Sequence, residues 1–243
     1  MLPGALGTKE TDFLAQFDYL DPSAYTLVSW DPPGYGHADP ALLQRSWTLD
    51  MLERDAEVVV ALMKHIGSTR FSILGYSDGA NTAFLIAAKY PEMVYKVIAV
   101  GGNAFLDSTD IRIYEELRDI NTWDPQGRNL MVSSYGQAGF LELWNKWCDT
   151  MALIYKERGG DICKEELKLI TAPVLIVHGK NDTAVPLHHA YHLAAHLVSG
   201  ESRSASHTRA LVQRSDDVVS SEPLVRLVCH KLCVFGVFRT VLL

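Results

Sequence analysis

The apolar and polar positions of this chain form two kinds of pattern, short apolar runs and longer stretches with apolar residues at helical spacing. The apolar runs predict strands, at Tyr25–Trp30, Phe71–Leu74, Val94–Val100 and Val174–His178. The helical spacing predicts helices, at Leu49–Ile66, at Asp78–Tyr90 and from Leu187 to about Val198. Strands that alternate with helices over short connections are typical of a parallel sheet covered on both faces. We therefore predict an α/β fold.

The alternation stops between Asn103 and about Leu169, where the sequence predicts several helices and no strand. Three of the five tryptophans lie in this segment. Helical insertions of this kind usually lie over the carboxyl ends of the strands, where ligands bind. We therefore divide the chain into a core at residues 1–102 and 170–200, a helical cap at 103–169 and a divergent tail at 201–243. The first part of the tail is polar enough to be disordered, and its apolar end would have to be buried to avoid aggregation.

Composition and charge exclude several classes of function. The chain has 243 residues and a formal net charge of -7, and its basic residues form no stripe, so neither a nucleic acid nor an anionic membrane surface is an expected partner. No run of 18 apolar residues predicts a transmembrane helix. Four scattered cysteines do not make a disulfide framework, and Cys229 and Cys233 lack a second ligand pair for zinc. We expect no metal and no cofactor.

One serine occupies a tight corner between a predicted strand and a predicted helix. The segment Gly75–Gly79 reads GYSDG, which has the form G-x-S-x-G. In such a corner the backbone is strained and the flanking glycines remove clashes, so the hydroxyl of Ser77 is presented at a helix N-terminus. The partial positive charge there favours a developing oxyanion. The alternative is a chance serine in a glycine-rich turn, but the strand and helix on either side favour a nucleophile.

A serine nucleophile needs a base, and the base needs an orienting carboxylate. Asp182 follows the strand after the helical insertion, in the segment HGKNDTAVP. In hydrolases whose nucleophile lies on a strand-to-helix turn, the residues follow one another in the order serine, acid, histidine, and the position of Asp182 fits this order. The alternative reading of Asp182 is a turn-forming residue, which the nearby Gly179 and Asn181 support. We favour the role of the acid.

Several motifs in one order resemble the α/β-hydrolase family, and within it the valacyclovir hydrolase (biphenyl hydrolase-like) branch. They are PGALGTKETDF, WDPPGYGHADP, LGYSDGANTAFLIAAKYP, GGNAFL, YEELRDINTW and CKEELKLITAPVLIVHGKNDTAVP. The resemblance runs from about Pro3 to Gly200. It implies an α/β-hydrolase fold, a mostly parallel sheet with a helical cap insertion, and a serine hydrolase of α-amino-acid esters.

The resemblance also implies a role for individual residues. Ser77 would be the nucleophile, Asp182 the acid, and Asp78 the receptor of the substrate's α-ammonium group. A carboxylate next to the attacked carbonyl can hold a cation one bond away from it, although an acidic residue is also favoured in a first helical turn by the macrodipole. The oxyanion would be bound by the N–H of Asp78 and by a second N–H around Ala5 or Leu6.

This sequence departs from the family pattern in two places before the tail. Pro33 stands where the branch usually has arginine, and it cannot make the bonds of an arginine. The strands that the family places before the PGALG loop are missing, including the one between the Tyr25–Trp30 and Phe71–Leu74 strands. We expect these two strands either to lose a shared partner or to pair with each other.

The histidine of the expected triad is the weakest part of the sequence pattern. Nothing after Gly200 reproduces the last strand of the family, and His207 is the one histidine at a plausible distance after Asp182. We take His207 as the candidate base, and His230 lies in the unmatched tail. His178 ends a strand and is expected to be structural. A helix face carries His188, His192 and His196, and a solvated face is favoured over a metal site because no acidic third ligand accompanies them.

The leading hypothesis is therefore a serine hydrolase of small α-amino esters that acts on a small-molecule ester, with a monomer favoured. A hydrolase of other esters or of carbon–carbon bonds is the alternative within the enzyme class. A catalytically impaired hydrolase-fold binding protein is the alternative outside it. The two ends of the sequence depart from the family pattern. An incomplete or alternatively spliced product, or a flawed gene prediction, is one explanation of this departure. The compartment stays open between mitochondrial and cytoplasmic.

Overall fold

The computed structural model describes residues 1–38 and 44–198, together with the backbone of residues 208–213. Its centre is a four-stranded parallel sheet in the order β1-β2-β3-β4. The strands are β1 (Phe71–Tyr76), β2 (Val94–Val100), β3 (Val174–Gly179) and β4 (Thr208–Gln213). The predicted strands at Phe71–Leu74, Val94–Val100 and Val174–His178 are confirmed, and the first of them is two residues longer than the prediction.

The described helices lie before the first strand and between successive strands. They are α1 (Lys9–Asp12), α2 (Leu14–Tyr19), α3 (Met51–His65), α4 (Asp78–Lys89), α5 (Ser108–Glu116), α6 (Pro125–Arg158) and α7 (His188–Val198). Short 3-10 turns occupy Pro91–Met93, Ile120–Thr122 and Glu166–Leu169. Helix α4 follows the serine corner directly and is buried along nearly its whole length, since 11 of its 12 residues are buried. It is the central helix of the larger core.

Alternate residues of the strands pack into two separate cores, one on each face of the sheet. In β2, Val97 and Ala99 belong to the larger core, whereas Ile98 and Val100 belong to the smaller one. This division follows from the two-residue period of a strand. The sheet is therefore buried on both faces, as the near-continuous apolar runs of the sequence predict.

The predicted strand at Tyr25–Trp30 is wrong. This segment has no regular secondary structure, and its direct pairing with β1 does not occur. The backbone of Leu2 lies beside β1 instead, donating to Leu74 O at 2.8 Å and accepting from Tyr76 N at 3.0 Å. The amino group of Met1 donates to Val28 O at 2.6 Å. Leu2 forms a single parallel bridge with β1 and satisfies the backbone groups on the outer edge of that strand. Residues 25–30 therefore have no strand with which to form a ladder of hydrogen bonds.

The segment between β2 and β3 is helical in the part of the chain that the structure describes. Its longest element is α6, which is broken at Gly136. Phe105 and Asp161 form an isolated antiparallel bridge near the two ends of the segment. None of the described helices combines the length and the apolarity needed to cross a bilayer.

The expectation that no strand follows Gly200 is also wrong. Thr208–Gln213 pairs with β3 along its whole length as β4, from Val174 opposite Thr208 to Gly179 opposite Gln213. The rest of the tail, including His207 and His230, lies outside the described residues. Sequence reasoning missed β4 because the segment TRALVQ has polar residues at three of its six positions, which leaves an apolar run of only three residues.

Candidate active site

Ser77 lies in a strained corner between β1 and α4. Its backbone angles are φ 52° and ψ −119°, a conformation that costs a residue with a side chain on the order of 1–3 kcal/mol. The corner is held by hydrogen bonds from Ser77 N to Val100 O (2.8 Å) and from Ala80 N to Ser77 O (2.8 Å). Ser77 is half-buried, and its hydroxyl forms no hydrogen bond with a described residue. The hydroxyl is therefore available to a substrate.

The two glycines of the corner are required by close backbone contacts. A Cβ at Gly75 would lie 2.3 Å from Gly79 O, and a Cβ at Gly79 would lie 2.0 Å from Leu2 O. Real carbon–oxygen contacts are never this short, so any side chain would push the strand, the corner and Leu2 apart. The glycines of the G-x-S-x-G pattern thus have the steric role that the sequence predicts.

The loop that carries Ala5 and Leu6 packs directly against Ser77. A Cβ built on Gly4 would lie 3.2 Å from the Cβ of Ser77. The loop closes as a turn through a 3.0 Å hydrogen bond from Gly7 N to Gly4 O. Leu6 has φ 58°, in the left-handed region that residues other than glycine rarely adopt. Such a turn directs peptide N–H groups to one side, which is the geometry that an oxyanion site needs.

A buried carboxylate anchors the start of this loop. Asp12 accepts a 2.8 Å hydrogen bond from Gly4 N through Oδ2 and a 2.7 Å hydrogen bond from the hydroxyl of Thr11 through Oδ1. Burial raises the pKa of Asp12 to about 6, against the opposing effect of the bond from Gly4. Sequence reasoning missed this anchor, because an aspartate in a short helical turn carries no distinctive signal.

Asp182 lies at the same edge of the sheet as Ser77. Its Oδ1 accepts from Ala184 N (3.0 Å) and Val185 N (2.9 Å). Its Oδ2 lies 3.5 Å from the position that a Cβ would take on Gly101, the residue that follows β2. Since Ser77 bonds to Val100, the last residue of β2, the serine and the acid face each other across the end of one strand. The turn-forming role and the triad role are compatible, because the turn uses only one carboxylate oxygen.

Asp78 is buried beneath the cap and is hydrogen-bonded to a residue that sequence reasoning did not single out. Its side chain is 7% exposed, and Oδ2 accepts from Trp147 Nε1 at 2.6 Å. Burial raises the pKa of Asp78 to about 6, while the bond from Trp147 and the charge of Arg45 act in the opposite direction. A carboxylate with this pKa is ionised at neutral pH. Because it is poorly solvated, a bound cation would stabilise its charge.

Stacked aromatic rings fix the orientation of Trp147. Its ring is stacked on Trp144 at 4.7 Å between centroids and meets the ring of Tyr114 edge-on at 4.8 Å. Trp123 packs edge-on against Trp144, and both of their indole N–H groups donate to Leu117 O. Each indole N–H of this aromatic cluster therefore has a hydrogen-bond acceptor, which is typical of a well-defined position.

The structure describes neither candidate histidine of the tail, so the role of His207 stays a prediction. The register of β4 is nevertheless informative. Thr208, the residue after His207, lies opposite Val174 at the amino end of β3, whereas Asp182 follows the carboxyl end. A histidine that follows the carboxyl end of β4 would be on the same side as Asp182. In the sequence, only His230 comes after Gln213.

The remaining histidines differ in part from the prediction. His178 is buried, and its Nε2 is 2.9 Å from Val185 O, in agreement with a structural role. The helix face of α7 that was expected to be solvated is only partly exposed. His192 is half-buried against the ring of Phe105, and burial followed by the charge of His196 lowers its pKa to about 4.

A buried histidine–aspartate contact between α7 and α5 was missed by sequence reasoning. His189 Nε2 lies 2.9 Å from Asp110 Oδ1, and both side chains are fully buried. Together with His188, they form a group whose ligand atoms lie within 4.8 Å of one another and could hold a metal. However, Asp110 already accepts from Asp107 N through its other oxygen (2.7 Å), so its carboxylate is satisfied without an ion. The pair joins α7, the helix after Asp182, to α5 in the cap.

Comparisons with known proteins agree with this geometry. A family model described as alpha/beta hydrolase fold matches residues 1–146. The human protein "Serine hydrolase BPHL" is 40% identical over 197 residues, which cover 81% of this chain and 67% of that protein. A hydrolase of Pseudomonas putida, "2-hydroxy-6-oxononadienedioate/2-hydroxy-6-oxononatrienedioate hydrolase 2", is 27% identical over 205 residues, covering 76% of this chain and 70% of that protein.

A solved structure shows the same fold. The alpha/beta hydrolase enzyme MGS-M2, from a deep-sea metagenome library, superposes with a TM-score of 0.70 over 99% of this chain and 89% of its own. Its sequence identity is 18%, so this likeness concerns the fold alone. The parallel sheet and the helices around it therefore form a known architecture.

Proposed function

Because this chain belongs to the α/β-hydrolase family and is a serine hydrolase, we propose that it cleaves esters of α-amino acids through an acyl-serine intermediate. The observation that carries this proposal is the position of Asp78, a buried carboxylate that follows Ser77 directly. An α-amino ester carries its ammonium group on the carbon next to the carbonyl that Ser77 would attack. An acceptor of that cation must therefore lie close to the nucleophile, as Asp78 does.

The reaction has two halves. Ser77 Oγ attacks the ester carbonyl and gives its proton to a histidine base, for which His207 is the proposed residue, while Asp182 orients and stabilises the imidazolium. The negative oxygen of the tetrahedral intermediate is bound by the N–H of Asp78 and by an N–H of the Gly4–Gly7 loop. The carbonyl reforms, and the alcohol leaves with the proton from the base. Water then repeats these steps on the acyl-serine and releases the amino acid.

Charge favours an ammonium over a neutral group near Asp78. Arg45 and Asp55 form a buried ion pair at 2.8 Å, which leaves little net charge from these two residues. Asp78 accepts one hydrogen bond from Trp147 and forms no other side-chain hydrogen bond with the described residues. An ammonium group would supply the missing positive charge and three further donors.

Labelling by a fluorophosphonate probe tests the serine chemistry, because the probe reacts only with an activated serine. We expect labelling of the full chain at Ser77, identified by mass spectrometry of the labelled peptide. Ser77→Ala should abolish labelling, whereas Ser72→Ala, a change in the preceding strand, should not. A wild-type chain that takes up no label would support the binding-protein alternative instead.

Two matched substrates test the amino-ester proposal. The 4-nitrophenyl esters of valine and of 3-methylbutanoic acid differ only in the amino group. Asp78→Asn should lower kcat/KM for the valine ester roughly 10- to 100-fold more than for the other ester, since hydrogen bonds to charged groups contribute about 1.5–3 kcal/mol. The exposed Asp18→Asn is the control. An equal loss on both esters in Asp78→Asn would rule out the ammonium site.

A further inference from the structure

The hydroxyl of Tyr135 connects the cap to the loop beside Ser77. It donates a 2.6 Å hydrogen bond to Leu6 O and accepts a 2.9 Å hydrogen bond from Gly36 N. Its partners are 129 and 99 residues away in the sequence. One side chain of α6 therefore fixes two loops of the core at a single point.

Tyr135 and Asp12 hold the loop from its two ends. Asp12 accepts from Gly4 N, which orients the peptide before Gly4, and Tyr135 donates to Leu6 O, which orients the peptide after Leu6. The peptide groups between these two anchors carry the N–H groups of Ala5 and Leu6, the candidate oxyanion donors. Neither N–H forms a hydrogen bond with a described residue, so both remain available. The directions in which they point depend on both anchors.

The chemistry of the phenol suits a permanent anchor. Burial raises the pKa of Tyr135 to about 12, so the hydroxyl keeps its proton and can donate to Leu6 O throughout the neutral range. The carbonyl of Leu6 belongs to a residue with φ 58°, a backbone conformation that needs support from its surroundings. The hydrogen bond from Tyr135 supplies that support.

The helix is broken immediately after this tyrosine. Gly136 has φ 68° and ψ 160°, a region that only glycine populates readily. A Cβ at Gly136 would meet nothing within 4 Å, so the backbone angles and not the available space account for the glycine. The break sets the direction of the helical segment that carries Tyr135. A movement of this segment would move the anchor away from Leu6.

We propose that Tyr135 is a positioning residue that holds the Gly4–Gly7 loop in its oxyanion-binding conformation and makes that conformation depend on the position of the cap. This inference rests on the proposed function, in which an N–H of Ala5 or Leu6 binds the oxyanion. Tyr135 itself touches no reacting atom. It acts on the reaction through the backbone of Leu6.

Two measurements on Tyr135→Phe, which removes only the hydroxyl, test the proposal. Hydrogen exchange, followed by mass spectrometry of peptides that span residues 2–12, should become faster in the loop. The rate constant of fluorophosphonate labelling should fall about tenfold, less than the loss expected when an oxyanion donor itself is removed. For ester hydrolysis, kcat should fall while KM stays within about twofold, because the loop acts on the transition state.

The control is Tyr155→Phe, an exposed tyrosine on the same helix, which should change neither the exchange nor the labelling. Gly136→Ala is a second variant, and its backbone strain should produce the same loop exchange as Tyr135→Phe. Unchanged exchange in both variants would overturn the anchor, whatever the activity. Faster hydrogen exchange in the loop together with an unchanged labelling rate would overturn the proposed effect of Tyr135 on the oxyanion site. A wild-type chain without any labelling would instead count against the proposed function, and with it against the role of the loop in catalysis.

Discussion

The indole N–H of Trp147 donates a 2.6 Å hydrogen bond to the carboxylate of Asp78, and this bond joins the cap to the serine corner. The two residues are 69 positions apart in the sequence. Asp78 begins α4, the helix behind the nucleophile, whereas Trp147 lies in the second half of α6. A cap residue therefore controls how strongly the proposed ammonium receptor holds its own proton.

Trp147→Phe should weaken the discrimination between amino esters and simple esters. The hydrogen bond lowers the pKa of Asp78, so its removal raises that pKa further and leaves part of the carboxyl protonated at neutral pH. We expect the kcat/KM ratio of the valine ester to the 3-methylbutanoate ester to fall about tenfold at pH 7. Tyr155→Phe, a change at an exposed tyrosine on the same helix, is the control and should keep the ratio.

The same ratio should depend on pH in the wild-type protein. In the proposed role, Asp78 binds an ammonium group only when it is ionised, and its pKa is raised to about 6. The ratio should therefore fall as the pH decreases from 7 through 6, and it should fall again above about pH 8, where the α-ammonium group of the substrate loses its own proton. A titrating base affects both esters equally and cancels in the ratio. A flat ratio between pH 5 and 7, measured from initial rates at low substrate concentration, would contradict the assignment of Asp78.

Gly79→Ala should unfold the corner. The added Cβ would lie 2.0 Å from Leu2 O. Leu2 cannot move without breaking its hydrogen bonds to β1, and the start of α4 cannot move without breaking its hydrogen bonds to Ser77 O. We expect the free energy of unfolding to fall by more than about 3 kcal/mol, an unusually large effect for one methyl group. Gly139→Ala, where the nearest atom would be 3.7 Å away, should leave it unchanged or raise it. Urea denaturation followed by circular dichroism measures both.

The buried pair of Asp110 and His189 should matter more to stability than any exposed pair on the same helix. Asp110→Ala leaves His189 buried without its partner, and breaking a buried pair in this way costs roughly 3–5 kcal/mol. Arg112→Ala removes an exposed pair with Glu116 and should change the unfolding midpoint little. Equal midpoints for the two variants would show that the buried pair contributes no more than the exposed one.

Alanine variants of two histidines separate the possible positions of the base. The prediction from the sequence is that His207→Ala lowers the rate of fluorophosphonate labelling at Ser77 at least hundredfold, within the range expected of a general base, and that His230→Ala does not. The reverse result would contradict the assignment of His207 and would support His230 as the base. Mass spectrometry of the labelled peptide gives both rates.

Local patterns were sufficient for the parts of this protein whose geometry is local. The strand before Ser77 and the helix after it were predicted with nearly the observed bounds, because period-two and period-3.6 patterns reflect the burial of neighbouring residues. The glycine at 75 could be interpreted from the corner alone, since the atoms that exclude a side chain there belong to the same turn, whereas the atoms that exclude a side chain at Gly79 belong to the distant Leu2 and Pro3.

The strand predictions at the two edges of the sheet failed for a reason that is not local. Tyr25–Trp30 has the composition of a strand but does not form one, whereas Thr208–Gln213 has a mixed composition and does. A strand exists only where another backbone satisfies its N–H and C=O groups. The outer edge of β3 pairs with the whole of Thr208–Gln213. The outer edge of β1 pairs with a single residue, Leu2.

Local sequence patterns were enough to predict the parallel sheet core, the corner at Ser77 and the order of the proposed nucleophile and acid. Which residues from distant segments reach that corner, namely Trp147 at Asp78 and Tyr135 at Leu6, follows from tertiary packing. Spacing along the chain carries the information for contacts within one turn or one strand. Contacts between the cap and the core depend on how whole helices pack, which no short pattern encodes.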